Sequence, residues 1–543
     1  MKTTKLFFMA ALALMTAACS NSDNDILTPA EQPANNMVTI TAKLAPKSGS
    51  AQTRVLSDQT TYIKAEWAAT ETMKIISANG KEATATVKSV DGSGTATIEF
   101  SIDAAAVGQN CTIIYPASAA VAESAGVYTA QPMTAQTGTL SNDLDVRIGK
   151  GTISDATTLD VTTQPAAQFA IMKLTLTNDA KNLSIMADNM TIAGATLASA
   201  GKEFTVAVPA VSSKTVTIVA NDESNNCYYY SKTGVTIAAG KYYQSAPTMD
   251  ELDDDNSKTR YKITATSSVT IPDGKTVVLS GVNISSGSII CYGNANIILM
   301  GANTVTAAST PGSNNAAIQI CEDKSTTLTI TGSGSLTVNG GGGAAAIGTG
   351  RTDNASVAGG NIEINGGTIK ATGSSGSAAI GTGSSTKSGK SNTCGTITIN
   401  GGSVTATGGS NSAAIGTGFA NSKGINECGA ITINGGTVTA TGKNGGAGIG
   451  TGYANVSGSS NKCGAITIST GVTSVTAKKG NTSPNIIGKG NANGGTQNCG
   501  TITFGATQVF NGSAWSTDPM AAGTYGGLNL AISGDTWTLT PVP

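Results

Sequence analysis

The stretch CGTITINGGSVTATGGSNSAAIGTG, Cys394–Gly418, is written again as CGAITINGGTVTATGKNGGAGIGTG, Cys428–Gly452. Ile-Gly-Thr-Gly begins at Ile347, Ile380, Ile415 and Ile449, and Ile-Gly-Lys-Gly at Ile487, in steps of 33, 35, 34 and 38 residues. Cys-Gly heads at Cys394, Cys428, Cys463 and Cys499 step by 34, 35 and 36. Weaker copies precede them at Gly360–Gly367, Leu328–Gly332 and Ile297–Gly301. Such a period also suits helix pairs, but this density of Gly and β-branched residues rejects helices. Thr-Ile-Thr-Ile reads as a strand, Asn-Gly-Gly as a turn, Thr-Val-Thr-Ala-Thr as a second strand and Ala-Ile-Gly as a third. One repeat is then one coil of a right-handed parallel β-helix, with three strands and one longer loop. Coils stack about 4.8 Å apart, so about seven or eight of them make a rod of roughly 35 Å.

Stacking turns each repeat position into a column. Ile397, Ile431 and Ile466 form one apolar column; Ile399, Ile433 and Ile468 form another. Asn365, Asn400 and Asn434 share the turn, where each side-chain amide can bond to the next. Cys394, Cys428, Cys463 and Cys499 make a further column. Its thiols are open to three readings: small buried apolar filler, disulfides between neighbouring coils, or a metal ladder. One sulfur per coil lacks the convergent spacing of a zinc site. No metal and no cofactor is expected. Cys111, Cys227, Cys291 and Cys321 fit no column.

The 543 residues carry a net charge of −1, only 12% charged residues and no histidine. A nearly neutral chain has no field to hold nucleic acid. Without imidazole, Ser-His-Asp hydrolysis, Cys-His nucleophiles and His-ligated zinc are excluded.

Residues 1–18 read as a signal peptide: basic Lys2 and Lys5, an apolar run from Leu6 to Met15, then small residues before Cys19. Small residues directly before a cysteine resemble a bacterial lipobox, which implies acylation of Cys19. Thr16 departs from the leucine usual there. Residues 19–36 read as a tether, and the acidic Ser20–Asp25 resembles a signal for display on the outer membrane surface.

Residues 37–250 alternate with period two, as in Met37–Lys43, Thr95–Ser101, Ile171–Thr177 and Thr215–Ala220. Two β-sandwich lobes split near residue 150 are the economical reading. An early extended strand, Trp67 before the strand Met73–Ser77, Ile113–Ala117 and the closing Ala239–Tyr243 follow in order. With the lipoprotein start, this region resembles the fimbrillin-like family of type V pilus subunits. The Gly-Asp usual after the tryptophan is replaced by Ala68–Glu71. The resemblance implies two transthyretin-like sandwiches, export as a lipoprotein, and proteolysis after a basic residue. Here that residue would be Arg54, leaving Val55 at the new terminus. It also implies fimbrial subunits as partners through β-strand addition.

The acidic residues 251–257 read as a linker, 258–510 as the β-helix and 511–543 as its cap, with Trp515 and Trp537 as packing residues. The loop after Ile-Gly-Thr-Gly varies most. Its register makes Phe419 and Tyr453 neighbours, flanked by Asn421 and Asn455. Rings beside amides suit sugars, because C–H faces stack on rings and hydroxyls take hydrogen bonds; each ring could instead cap its own coil. For catalysis the repeats offer Arg351, Asp353, Glu363 and Glu427, with no pair of acids in one column on adjacent coils. The expectation is an all-β surface lipoprotein: a fimbrillin-like sandwich pair carrying a β-helix that binds glycans or a host glycoprotein, without enzyme activity. A β-helix lyase or hydrolase and a passive spacer are the rival readings.

Overall fold

The structure, a computed structural model, describes residues 37–45, 57–58, 63–64, 67–124, 127–309, 314–321, 325–352, 355–513 and 520–542. Cys19, Arg54, Val55, Asp353 and Trp515 lie outside the described residues. Among the described residues there are only strands and two short 3-10 turns, Ala104–Ala106 and Asn142–Leu144.

The first lobe is one antiparallel seven-stranded sheet. Its order is Met37–Leu44, Ala96–Asp103, Glu82–Val90, Thr72–Ser77, Asn110–Tyr115, Arg147–Ile153 and Leu159–Ala167. Alternate residues point inward, so Ile40, Leu44, Ile75, Ile98, Ile102 and Ile113 are fully buried. Trp67 meets Tyr115 edge-on at 5.6 Å. Register shifts at Val87 to Ser89 and around Lys150 add local twist. The sheet rolls until its first and last strands touch: Thr41 N–H donates to Thr157 O at 2.9 Å beside a parallel bridge to Thr158.

The second lobe is built on two long strands, Phe169–Ala187 and Met190–Pro209, whose pairing shifts between Thr175 and Asn182. The free edge of Phe169–Ala187 takes Tyr242–Ser245 along its first half and Val211–Asn221 along its second. Leu174, Leu183, Ile185, Phe204 and Ile218 fill the core.

The division between lobes is not a clean cut near 150. Met133–Gln136 already pairs with the second lobe, and the chain then returns for two strands of the first. The change of sheet falls between Ala167 and Phe169. Near this point the sequence is punctuated only by Pro165, two residues before Ala167. A buried Asp145–Arg147 ion pair lies near the junction, at 2.7 Å and only 5% and 3% exposed. Gln136 brackets Ala207 there, donating to its carbonyl at 2.9 Å and accepting from its N–H at 2.7 Å.

The acidic stretch is not a free tether. Asp250–Leu252 pairs with Cys227–Tyr229, because Leu252 belongs to an apolar seam between lobe and solenoid. Met186, Val219, Cys227 and Tyr229 meet Val278, Ile298 and Met300 across that seam. Asn221 Nδ2 donates to Ser280 Oγ at 2.9 Å, and Gly332 N–H donates to Thr191 Oγ1 at 2.8 Å. A Cβ on Gly366 would stand 2.2 Å from Thr191 Oγ1, so the docking requires glycine there. The second lobe is therefore packed along the flank of the solenoid.

The C-terminal half is a parallel β-solenoid. Each repeated coil places one strand segment on either side of the Asn-Gly-Gly corner in the largest sheet. Five Ile-Gly pairs, from Ile347–Gly348 to Ile487–Gly488, continue an eight-stranded sheet begun by Val269–Ile271, Ile289–Tyr292 and Ile318–Cys321. The loop expected to complete the coil contains a further strand. Val357–Ala358, Ser391–Cys394, Ile425–Cys428, Ser460–Cys463 and Thr496–Cys499 make a five-stranded sheet. Its inward positions include Asn392, Asn426 and Asn461, all fully buried, so the usual apolar alternation is missing. Asn392 is satisfied inside, donating to Gly350 O at 2.7 Å and accepting from Thr349 Oγ1 at 2.5 Å.

The Ile-Gly-Thr-Gly repeat has a direct physical cause. Gly416 has φ of +128°, and a Cβ there would lie 1.9 Å from the carbonyl oxygen of Gly450 one coil on. Thr382 and Thr417 hydroxyls accept the N–H of Gly418 and Gly452 on the next coil, each at 2.9 Å. The last copy reads Ile-Gly-Lys-Gly at the end of the Ile-Gly sheet. Its Lys489 instead lies 5.5 Å over the ring of Phe510.

Parallel stacking ends before residue 510. Ile502–Phe504 still pairs in parallel with Ile466–Ile468, then Thr507–Phe510 turns back antiparallel. Thr536–Pro541 closes the Val472–Lys478 edge antiparallel, with Trp537 edge-on to Phe504 at 6.2 Å. Trp537 is buried in the solenoid core.

Candidate functional site

The solenoid brings two groups of repeated side chains into register. The first lies on a narrow ladder of single bridges, Thr352 to Ser385 to Ala420 to Ala454 to Ala492. Ala420 and Ala454 are fully buried. By alternation their neighbours Phe419, Asn421, Tyr453 and Asn455 face the other way, and all four are half-buried. Phe419 and Tyr453 sit with ring centroids 5.8 Å apart and planes 32° from parallel. Asn455 Nδ2 donates to Asn421 Oδ1 at 3.3 Å.

Backbone bonds fix this surface. Ala420 N–H donates to Tyr453 O at 2.9 Å, and Asn455 N–H donates to Ala420 O at 3.0 Å. The preceding turns support the rings: Phe419 N–H donates to Gly376 O at 2.8 Å and Tyr453 N–H to Asn411 O at 2.9 Å. A Cβ on Gly445 would lie 2.9 Å from Tyr453 Cβ, so the turn lies directly against that side chain. The arrangement is a short aromatic platform edged by paired amides. It offers apolar faces and hydrogen-bonding groups without formal charge.

The second group is the cysteine column. Cys394, Cys428, Cys463 and Cys499 are Cα partners in consecutive strands and are 1–4% exposed. Cys463 and Cys499 have their sulfurs 3.0 Å apart. A hydrogen bond with Cys394, then burial, holds the Cys428 thiol well above its ordinary range. A hydrogen bond with Cys499, then burial, does the same for Cys463. Such thiols are poor nucleophiles and poor metal ligands, because thiolate is the reactive form. Among the described residues no group of three or more His, Cys, Asp or Glu could hold a metal ion.

The asparagine ladder forms as its spacing requires. Asn434 Nδ2 donates to Asn400 Oδ1 at 2.9 Å, and Asn400 Nδ2 donates to Asn365 Oδ1 at 2.8 Å. Glu363 closes one end, accepting from Asn365 at 3.2 Å and Asn400 at 3.1 Å; Ser469 closes the other at 2.8 Å. Glu363 is thus engaged in the ladder. Glu427 sits in the separate five-stranded sheet, 4.0 Å from Lys462. Sequence reasoning missed the amide column of buried Asn392, Asn426 and Asn461, which half-buried Gln497 continues. Its signal was present, an amide two places before each column cysteine.

This fold and this surface define a β-solenoid of repeated coils with a neutral aromatic and amide platform on one side. A family model described as a beta helix repeat matches residues 362–384, 397–419 and 431–453, which places the platform's Phe419 and Tyr453 at the ends of two matched units. A crystal structure of a fimbrial protein from Bacteroides ovatus is similar at 10% identity and a TM-score of 0.20. The match covers 37% of this chain and 49% of that one, so it spans about half the length of that protein. No curated protein matches the chain.

Proposed function

We propose that the chain is an exported surface lipoprotein, anchored in the outer membrane through Cys19, whose solenoid acts as an adhesin that binds glycans without cleaving them. The observation that supports this reading is the exposed edge of the Phe419–Tyr453 pair beside the Asn421–Asn455 amide pair. Pyranose C–H faces stack on such rings, and sugar hydroxyls pair with amides. A neutral platform on a chain of net charge −1 favours a glycan or glycoprotein surface over nucleic acid.

The test uses the full chain on a panel of insoluble polysaccharides and mucins, recording retained protein and newly formed sugar ends in the same tubes. Phe419→Ala with Tyr453→Ala should lower retention roughly thirtyfold, taking about 1 kcal/mol per ring. Undiminished retention rejects this site. New sugar ends would replace the binder by an enzyme, and no retention on any surface would leave the spacer reading.

A second activity, assembly by strand addition, is supported by one feature of the first lobe. Met37–Leu44 pairs along its whole length with Ala96–Asp103, but on its other side it has a single bridge, Thr41 to Thr158, just before the strand Leu159–Ala167. Its loss would open a slot where Ile40, Ala42 and Leu44 were buried. Cleavage after Arg54 predicts a mature terminus at Val55 on intact cells. Acylated Cys19 still joined to Val55 would count against it.

A further inference from the structure

We propose that the cysteine column is a modification site, oxidised pairwise to two disulfides, Cys394–Cys428 and Cys463–Cys499, which staple the coils two by two. In-register parallel neighbours lie about 4.8 Å apart, inside the Cα separation that a disulfide spans. The four cysteines occupy four consecutive strands in strict register. One thiol contact already divides the column: Cys463 sulfur stands 3.0 Å from Cys499 sulfur, which leaves Cys394 and Cys428 as the other neighbouring pair, their sulfurs donating to Gly360 O at 3.8 Å and Gly395 O at 3.9 Å.

The chemistry is thiol–disulfide exchange with an oxidised dithiol carrier, such as a disulfide oxidoreductase or oxidised glutathione. One cysteine thiolate attacks a sulfur of the carrier disulfide, forming a mixed disulfide and releasing one carrier thiolate. The partner cysteine then attacks the mixed bond, forming the protein disulfide and releasing the second carrier sulfur. Two electrons reduce the carrier, and two protons leave the protein thiols. Folded, the column is 1–4% exposed, and Cys428 and Cys463 hold their protons. The exchange therefore takes place as the coils close, before the column is covered.

The pairing leaves one step of the column without a bond, from Cys428 to Cys463. The same step separates the coils of Ala420 and Ala454, across which Phe419 stacks on Tyr453. The ring separation is thus set by non-covalent contacts whether the column is oxidised or reduced.

The first arm of the test is independent of export. Fully reduced chain is refolded with reduced and oxidised glutathione, digested without reductant and mapped by mass spectrometry. The same map is made on chain recovered from the periplasm of an expression host, which needs no refolding. Linked peptides Cys394–Cys428 and Cys463–Cys499, each two hydrogens lighter than the thiol pair, are expected in both. In Cys499→Ser, Cys463 should be the one column thiol that becomes alkylated while Cys394–Cys428 stays linked. All four column cysteines alkylatable in both preparations, a Cys428–Cys463 link, or loss of both links in the variant would overturn the proposal.

Discussion

Ile98 in the first lobe is fully buried and pairs across the sheet with Ala42 on one side and Val87 on the other. Ile431 in the solenoid is equally buried and pairs with Ile397 on one side and Ile466 on the other. The two cores rest on the same apolar burial, about 2–3 kcal/mol for such a side chain. They differ in who supplies the neighbours. A lobe residue meets different residues, each far away in sequence. A solenoid residue meets copies of itself one coil away. The lobes therefore hold each position by a local fit of unlike side chains, and the solenoid holds it by nearest-neighbour repetition.

Glycine substitutions should break this comparison most sharply. Gly416→Ala adds a Cβ 1.9 Å from a stacked carbonyl at φ of +128°, and should cost more than about 4 kcal/mol. Gly80→Ala in the first lobe, with φ of +78° and open space around it, should cost about 1–2 kcal/mol. Urea unfolding followed by Trp67 in the first lobe and Trp537 in the cap reports the two regions separately, with Trp515 replaced. Equal losses would remove the contrast.

Asp145→Ala is the matching break for the lobes. It leaves Arg147 buried at 3% exposure without its carboxylate, and should cost about 3 kcal/mol. The Trp67 transition should move while the Trp537 transition stays in place.

Alkaline pH should weaken both regions to a smaller extent. Burial raises Cys111 in the first lobe from 9.0 to about 11, and Cys227 at the seam likewise to about 11. The native thiols keep protons that unfolded thiols lose, so stability is full below pH 9 and falls as pH rises toward 11. In the reduced chain the Cys428 and Cys463 thiols act in the same direction in the solenoid. A urea midpoint unchanged between pH 8 and 11 would contradict this burial.

The smallest effect should come from Asn400→Ala, which removes the middle amide of the ladder and costs about 1 kcal/mol. Asn434→Ala, at the more exposed end, should cost less. If both cost the same as Ile431→Ala, the amides carry more of the stacking than the apolar columns do.

The later coils were legible because their positions are written several times. Steps of 33, 35 and 34 residues from Ile347 to Ile449 set the register, and that register alone put Phe419 beside Tyr453 and Asn400 between Asn365 and Asn434. The five-stranded sheet was hidden because Asn392, Asn426 and Asn461 are polar yet buried, and polar runs read as loop. The first coils were legible only in part, since they are shorter and lack the Cys-Gly head. In the lobes, alternation revealed strands but not partners. Nothing in Met133–Gln136 announces that it pairs with Ala193 and Ala195 rather than with its own lobe.

The stacked Ile-Gly-Thr-Gly corner carries a consequence for heredity. Each Thr hydroxyl serves the following coil and each Gly accommodates it, so one complete coil brings every contact its neighbours require. Duplicating or deleting a whole coil in the gene leaves all remaining columns in register, whereas losing part of one shifts every column beyond it. Recombination between copies as similar as Cys394–Gly418 and Cys428–Gly452 can thus lengthen or shorten the rod in whole coils, without redesigning either end.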